Sequence, residues 1–185
     1  MAADRKKLIL DVDTGTDDAV AIMLAALHPE LELVGVTTVN GNVEVQFCTD
    51  NSLRVLDHIG RADIAVYEGA DRPLVRTGHP IVKRYDEGGE KYHPEELPVP
   101  PARSAKAEKA AVEFLIETYR AATDPIVLMP VGPLTNVAAA LAAYPNFVKL
   151  VPELIIMGGG YAFGNVTPSA EFNIWADAEA AARVL

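Results

Sequence analysis

Cysteine is nearly missing from this chain of 185 residues. The single one, Cys48, excludes an internal disulfide and suits a reducing compartment such as the cytoplasm. Positive charge is scarce as well: 16 Lys and Arg stand against 26 Asp and Glu, for a formal charge of −10, and no basic run breaks the pattern. That balance argues against a surface built for a nucleic-acid backbone. No apolar stretch approaches the ~20 residues needed to span a membrane. The basic opening Met1-Ala-Ala-Asp-Arg-Lys-Lys leads into an apolar run that ends at Asp11, too short for a secretory signal. What is present is 50% hydrophobic residues, enough for one substantial core, so residues 1–185 read as one domain.

Short apolar runs alternate with longer amphipathic ones, which predicts an α/β fold with a mainly parallel open sheet flanked by helices. Strands are expected at 8–10, 31–39, 64–66, 126–129 and 154–157. Helices are expected after Asp18, over 43–60, from Ser104 as a cap to about Ala122, from Pro133 as first residue, and from Asp177. Cys48 falls with Val45, Ser52, Val55 and Ile59 on the inner face of the second helix, so it reads as core. Residues 68–103 break the alternation. They are rich in proline and charge, carry His79 and His93, and have no apolar period, as a flap or insertion would.

The densest chemistry lies in Asp11-Val-Asp-Thr-Gly-Thr-Asp-Asp18, between a buried strand and a helix. Open α/β sheets bind ligands at that edge. Two carboxylates ~5 Å apart repel by roughly 3 kcal/mol at an effective dielectric near 20. A helix N-terminus, a shared proton or a bound cation could offset this. Asp17 and Asp18 suit the first of these, as first-turn acids, whereas Asp11 and Asp13 are expected to project from the strand end into one small volume. Oxygen-only donors favour calcium or magnesium over zinc. The spacing is not that of an EF-hand, whose sixth and twelfth positions would be Thr16 and Ile22. Asn42 closes a second strand on the same edge, either for its turn geometry or as a sugar-hydroxyl ligand.

The block from Asp11 to Ala21 resembles the amino-terminal signature of the nucleoside hydrolase family, the inosine-uridine preferring enzymes. Thr37-Thr-Val-Asn-Gly-Asn42, Pro130-Val-Gly-Pro-Leu-Thr-Asn136, Met157-Gly-Gly-Gly160, Gly164-Asn165 and Glu171-Phe-Asn173 follow in the same order. The resemblance implies calcium-dependent hydrolysis of the N-glycosidic bond of ribonucleosides. It implies Ca²⁺ held by Asp13, Asp18 and the main-chain carbonyl of Val131, and Asp13 as general base. It further implies a ribose pocket of Asp17, Asn42, Met157, Asn165, Glu171 and Asn173, and a homo-oligomer. Asp11 is expected behind these ligands, orienting them. The family's flap often carries a His-Gly pair where this chain reads Lys83-Arg-Tyr-Asp-Glu-Gly-Gly-Glu90, so Tyr85, His79 and His93 become candidates for the base. Trp175 reads as packing, with stacking on a base the alternative. Family members continue past residue 185 with a His-Asp pair that has no match here, which implies a fragment or a truncated relative.

Two other readings compete. Asp11-Val-Asp13-Thr14 also resembles the nucleophile motif of the haloacid dehalogenase superfamily, a magnesium-dependent phosphatase chemistry. That chemistry needs a Lys, for which Lys149 is the candidate, and an acidic pair that Glu171-Phe-Asn173 matches poorly. The third reading is a module that binds calcium and nucleoside and cleaves neither.

Overall fold

The computed structural model describes residues 5–76 and 92–185. Five parallel strands form one sheet in the order β3-β2-β1-β4-β5, where β1 is Lys6–Val12, β2 Leu31–Thr38, β3 Val66–Glu68, β4 Ile126–Pro130 and β5 Glu153–Leu154. Helices α1 (Thr16–Leu27) and α2 (Val45–His58) lie on one face; α3 (Ala111–Ala121), α4 (Thr135–Ala143) and α5 (Phe147–Leu150) lie on the other. Two short helices, α6 (Phe172–Ala176) and α7 (Ala178–Val184), finish the chain, with α7 packed on α4. No helix among the described residues is long and apolar enough to cross a membrane.

Strand alternation builds the two cores. Leu8, Leu10 and Val12 of β1 meet Ile22, Ala25 and Ala26 of α1 and Leu53 and Leu56 of α2. Ile9, one residue out of phase, meets Phe114, Leu115 and Tyr119 of α3 and Val137 of α4 across the sheet. Cys48 is fully buried, as the helical spacing requires.

From β1 the chain steps outward to β2 and β3, then returns to the other side of β1 to lay down β4 and β5. The segment after β1 therefore runs to one face and the segment after β4 to the other. The connections leaving these two carboxyl ends diverge, opening the crevice in which such sheets hold ligands.

Several sequence expectations shift. The third helix starts at Ala111 rather than Ser104. The Ser104 N–H donates to Asp57 Oδ2 on α2 at 2.9 Å and the Ala107 N–H to Val66 O on β3 at 2.8 Å, so this stretch is tied to both elements before the helix begins. Strand β3 sits two residues later than expected. Helix α4 starts at Thr135, with Pro133 outside it. Strand β5 is two residues long, although the Ile155 and Met157 N–H groups still donate to Leu128 O and Pro130 O, keeping this backbone beside β4. Helix α6 is one the periodicity did not reveal, since five residues are too few to show a period.

Candidate active site

Asp13 lies just past β1, in the crevice between the ends of β1 and β4, and is 1% exposed. Its Oδ2 accepts the Asn42 N–H at 2.7 Å, and its carbonyl accepts Asn42 Nδ2 at 3.3 Å. No described non-glycine residue has a positive φ. Asn42 is thus in this turn without a left-handed backbone, holding Asp13 at two points. The turn wraps so closely that a Cβ on Gly41 would collide with the Asp13 carboxylate, and one on Gly132 would stand 2.9 Å from Asp13 Oδ1. Backbone thus encloses Asp13 on two sides.

Asp18, on the first turn of α1, is 4% exposed, and its Oδ2 accepts the Gly15 N–H at 3.4 Å. Burial pushes Asp13 up to about 7, against the lowering effect of the Asn42 N–H and of a hydrogen bond with Asp18. Burial raises Asp18 well above the usual carboxylate range, helped by the charges of Asp13 and Asp17. Asp17 points outward, its side chain 71% exposed, with His93 Nδ1 3.6 Å from Oδ1. The same Nδ1 accepts the Thr16 N–H at 3.4 Å, so His93 caps the acid loop. Tyr85 and His79 lie outside the described residues.

Asp11 does not join this group as expected. Its side chain points from β1 toward α4, fully buried, where Oδ1 accepts Thr37 Oγ1 at 2.6 Å and Asn136 Nδ2 at 2.8 Å. Alternation along the strand puts it on the Ile9 face, away from α1. Oδ2 has no hydrogen-bond partner among the described residues, and burial raises this carboxyl to about 6 despite Thr37 and Asn136.

The second wall is built from β4 and the chain after β5. Val131 follows β4, and its carbonyl accepts Asn173 Nδ2 at 2.8 Å. That amide also donates to Met157 O at 3.0 Å and contacts Met157 Sδ at 3.2 Å. Glu171 caps α6: its Oε2 accepts the N–H groups of Gly159, Asn173 and Ile174 at 2.9, 3.0 and 3.3 Å. Asn165 Oδ1 accepts the Phe172 N–H at 2.9 Å. Val131, Met157, Asn165, Glu171 and Asn173 are therefore one connected unit, joined to Asp13 through Gly132. Trp175 sits on α6 with its ring 6.4 Å from Phe172.

Among the described residues no group of three or more His, Cys, Asp or Glu side chains is arranged as a ready metal site. The donor chemistry nevertheless fits one divalent cation. Asp13 and Asp18 are two buried carboxylates whose pKa values are raised, and no Lys or Arg contributes to either shift. With the Val131 carbonyl, which keeps a second lone pair beside Asn173, they offer fewer oxygens than the ~6–8 calcium takes. Water, substrate hydroxyls or further polypeptide must complete the shell.

Sequence reasoning missed three buried polar residues. Asn136 ties Asp11 to Thr38 O (2.9 Å) and to the Ala70 N–H (2.9 Å). Asn51 on α2 donates to Thr14 O and Glu95 O, each at 3.2 Å, and accepts the Leu97 N–H at 2.9 Å. Asp177 accepts from Thr135 Oγ1 at 2.6 Å, from the Leu74 N–H at 2.7 Å and from the Ala180 N–H at 3.0 Å. Asn51 and Asn136 stood as polar residues within helices and Asp177 as a helix cap, signals that say nothing of these distant partners.

The family model of inosine-uridine preferring nucleoside hydrolases matches residues 8–185. An uncharacterized protein of Schizosaccharomyces pombe is 44% identical over 182 residues, which is 97% of this chain and 57% of that protein. A pyrimidine-specific ribonucleoside hydrolase of Escherichia coli is 40% identical over 179 residues, 96% of this chain and 55% of the relative. The solved structure of a purine-preferring ribonucleoside hydrolase from Gardnerella vaginalis superposes with a TM-score of 0.85 at 31% identity, over 97% of this chain and 57% of that one. The chain thus spans a little over half the length of each of these proteins.

Proposed function

Because this chain belongs to the inosine-uridine preferring nucleoside hydrolase family, we propose that it carries the water-activating side of a site that hydrolyses ribonucleosides to ribose and free base. One observation carries the reading: Asp13 is buried where the connections leaving β1 and β4 part, held by Asn42, with a pKa raised to about 7. A general base works best with a pKa near the operating pH. In the reaction water adds to the anomeric carbon, the C–N bond breaks with its electron pair going to the nucleobase, which takes up a proton from solvent, and Asp13 takes the water's proton. A divalent cation held by Asp13, Asp18 and the Val131 carbonyl would supply Lewis acidity that lowers the pKa of that water. Asp18 shares the local charge with Asp13, and Asn42 fixes the carboxylate's orientation. Asp17, Asn165, Glu171, Asn173 and Met157 would face the ribose. The Asn173 amide is already spent on Val131 O and Met157. Its role is then to position that wall, or to exchange partners when a sugar enters.

The E. coli relative is pyrimidine-specific and the Gardnerella relative purine-preferring, so family membership supports either base class. The phosphatase alternative loses support on two counts. Asp11, which would be the nucleophile, is fully buried between Thr37 and Asn136, and Lys149 is exposed on α5, which packs on the sheet face away from α1.

The test is ribose release from inosine and from uridine with millimolar calcium. The expected result is turnover that a chelator stops and that Asp13→Ala lowers by at least the ~10²-fold typical of losing a general base. Turnover by Asp13→Ala near that of wild type removes Asp13 from the mechanism. A second reading, binding without cleavage, is favoured by the small donor set among the described residues. Calorimetric binding of a ribonucleoside with no base released would select it.

A further inference from the structure

The acid loop is gripped from behind by α2, and the grip passes through an asparagine. Asn51 is fully buried on that helix and its amide is saturated: Nδ2 donates to Thr14 O and to Glu95 O, each at 3.2 Å, and Oδ1 accepts the Leu97 N–H at 2.9 Å. The Glu95 carbonyl and the Leu97 N–H dictate which end of the amide is nitrogen. Turned over, the amide would set Oδ1 against two carbonyl oxygens and Nδ2 against an N–H. The segment 93–97 therefore locks the donor end of Asn51 onto the acid loop.

Thr14 O belongs to a peptide unit with a second partner. No described peptide bond is cis, and in a trans unit the carbonyl and the N–H point in opposite directions. The Thr14–Gly15 unit has its carbonyl on Asn51 and its N–H on Asp18 Oδ2, at 3.4 Å. Asn51 thus fixes the plane from which that N–H reaches Asp18. A unit turned over would withdraw its N–H and set a carbonyl oxygen beside the carboxylate. Two further contacts hold the same stretch. Thr14 Oγ1 lies 2.6 Å from Ser52 Oγ, and the His93 ring lies so close over Gly15 that a Cβ there would collide with it, with Nδ1 accepting the Thr16 N–H at 3.4 Å.

We propose that Asn51 is a positioning residue for the reaction, holding the Thr14–Gly15 peptide so that its N–H supports the Asp18 carboxylate where a divalent cation needs it. It acts through that peptide rather than on the cation or the sugar. The inference rests on the proposed role of Asp13 and Asp18, and it adds a residue of another helix whose orientation is set by segment 93–97.

The test uses the full 185-residue chain. Asn51→Asp keeps Oδ1 for the Leu97 N–H and removes both donors. Amide hydrogen exchange followed by NMR should show Gly15 exchanging at least ~5-fold faster, the protection that about one hydrogen bond supplies. Calorimetry with calcium alone should show affinity lowered by ~10-fold to ~100-fold, the usual cost of losing a group that orients a metal ligand. Asn51→Ser reads the same two quantities without burying a charge, and it decides the outcome where Asn51→Asp does not fold. Arg54→Ala is the control, because it breaks the 2.9 Å bond from α2 to Glu96 on the same segment and leaves the partners of Thr14 O in place. It should leave Gly15 exchange and calcium affinity within about twofold. A merely structural Asn51 would lower stability in urea while Gly15 exchange in the folded variant stayed as in wild type, and that result overturns the proposal. Gly15 exchange that rises equally in Arg54→Ala overturns it as well. A wild-type chain that takes up no calcium defeats the underlying reading and this inference with it. Calcium bound equally well by wild type and by both Asn51 variants defeats the inference alone.

Discussion

Replacing Asn136 by alanine removes one side chain and strands three polar groups, two buried and one half-buried. The Asp11 carboxylate is left with Thr37 alone, and Thr38 O and the Ala70 N–H lose the amide that joined them. A buried polar group left unpaired costs ~1–3 kcal/mol, more when charged, and the three losses overlap because they share one cavity. The expected destabilisation is about 3–5 kcal/mol, a large part of the ~5–15 kcal/mol typical of a domain. The pH dependence separates this cause from a plain cavity. The Asn136 hydrogen bond holds the Asp11 pKa down against burial, so its loss drives that pKa further above about 6. An aspartate whose folded-state pKa lies above its unfolded value penalises the fold once pH rises past the unfolded value. The variant's deficit should therefore be larger at pH 8 than at pH 5.5. Urea unfolding at both pH values measures it. A loss below ~1 kcal/mol, or a deficit equal at the two pH values, would refute the assignment of Asn136 as the partner that keeps Asp11 ionisable.

The same sign applies to the unmodified chain. Asp11 at about 6 and Asp13 at about 7 both lie above 3.8, so without metal the fold should gain stability as pH falls from 8 to 5, on the order of 1.4 kcal/mol from Asp11 alone. Denaturation midpoints across that window check it, and millimolar calcium should flatten the trend by favouring the ionised forms; a metal-free chain that loses stability over this window contradicts it. Gly41→Ala should cost ~1–3 kcal/mol, because the new methyl meets the Asp13 carboxylate, and should weaken calcium binding along with it. Full stability and full calcium affinity in that variant would show that the loop yields without moving Asp13.

Much of this was readable in the residues because strands and helices leave periodic marks. Leu8, Leu10 and Val12 against Ile9 disclose a strand buried on both faces, and the position of Asp13 after it fixes the site at a carboxyl edge. Asp17 and Asp18 were recognisable as first-turn acids of α1. Other features depended on distant partners. Asp11 and Asp13 share a strand parity, yet one turns to Thr37 and Asn136 inside the sheet while the other, past the strand's end, is caught by Asn42. Ser104 looked like a helix cap, but its N–H is taken by Asp57 some 47 residues earlier, and that bond delays the helix to Ala111. Asp177 signalled a helix start, and its links to Thr135 and Leu74 became visible only when α7 was set against α4.

We propose that buried Asp13 and Asp18 are kept together by a divalent cation rather than by a shared proton. Titrating calcium into the metal-free chain at pH 7 in two buffers of different ionisation enthalpy tests it most directly. One site of submillimolar to millimolar affinity is expected, with proton release on binding because both carboxyls start above the usual range, and with binding lost in Asp13→Asn. No calcium heat at millimolar concentration, or a site that survives Asp13→Asn unchanged, would contradict it.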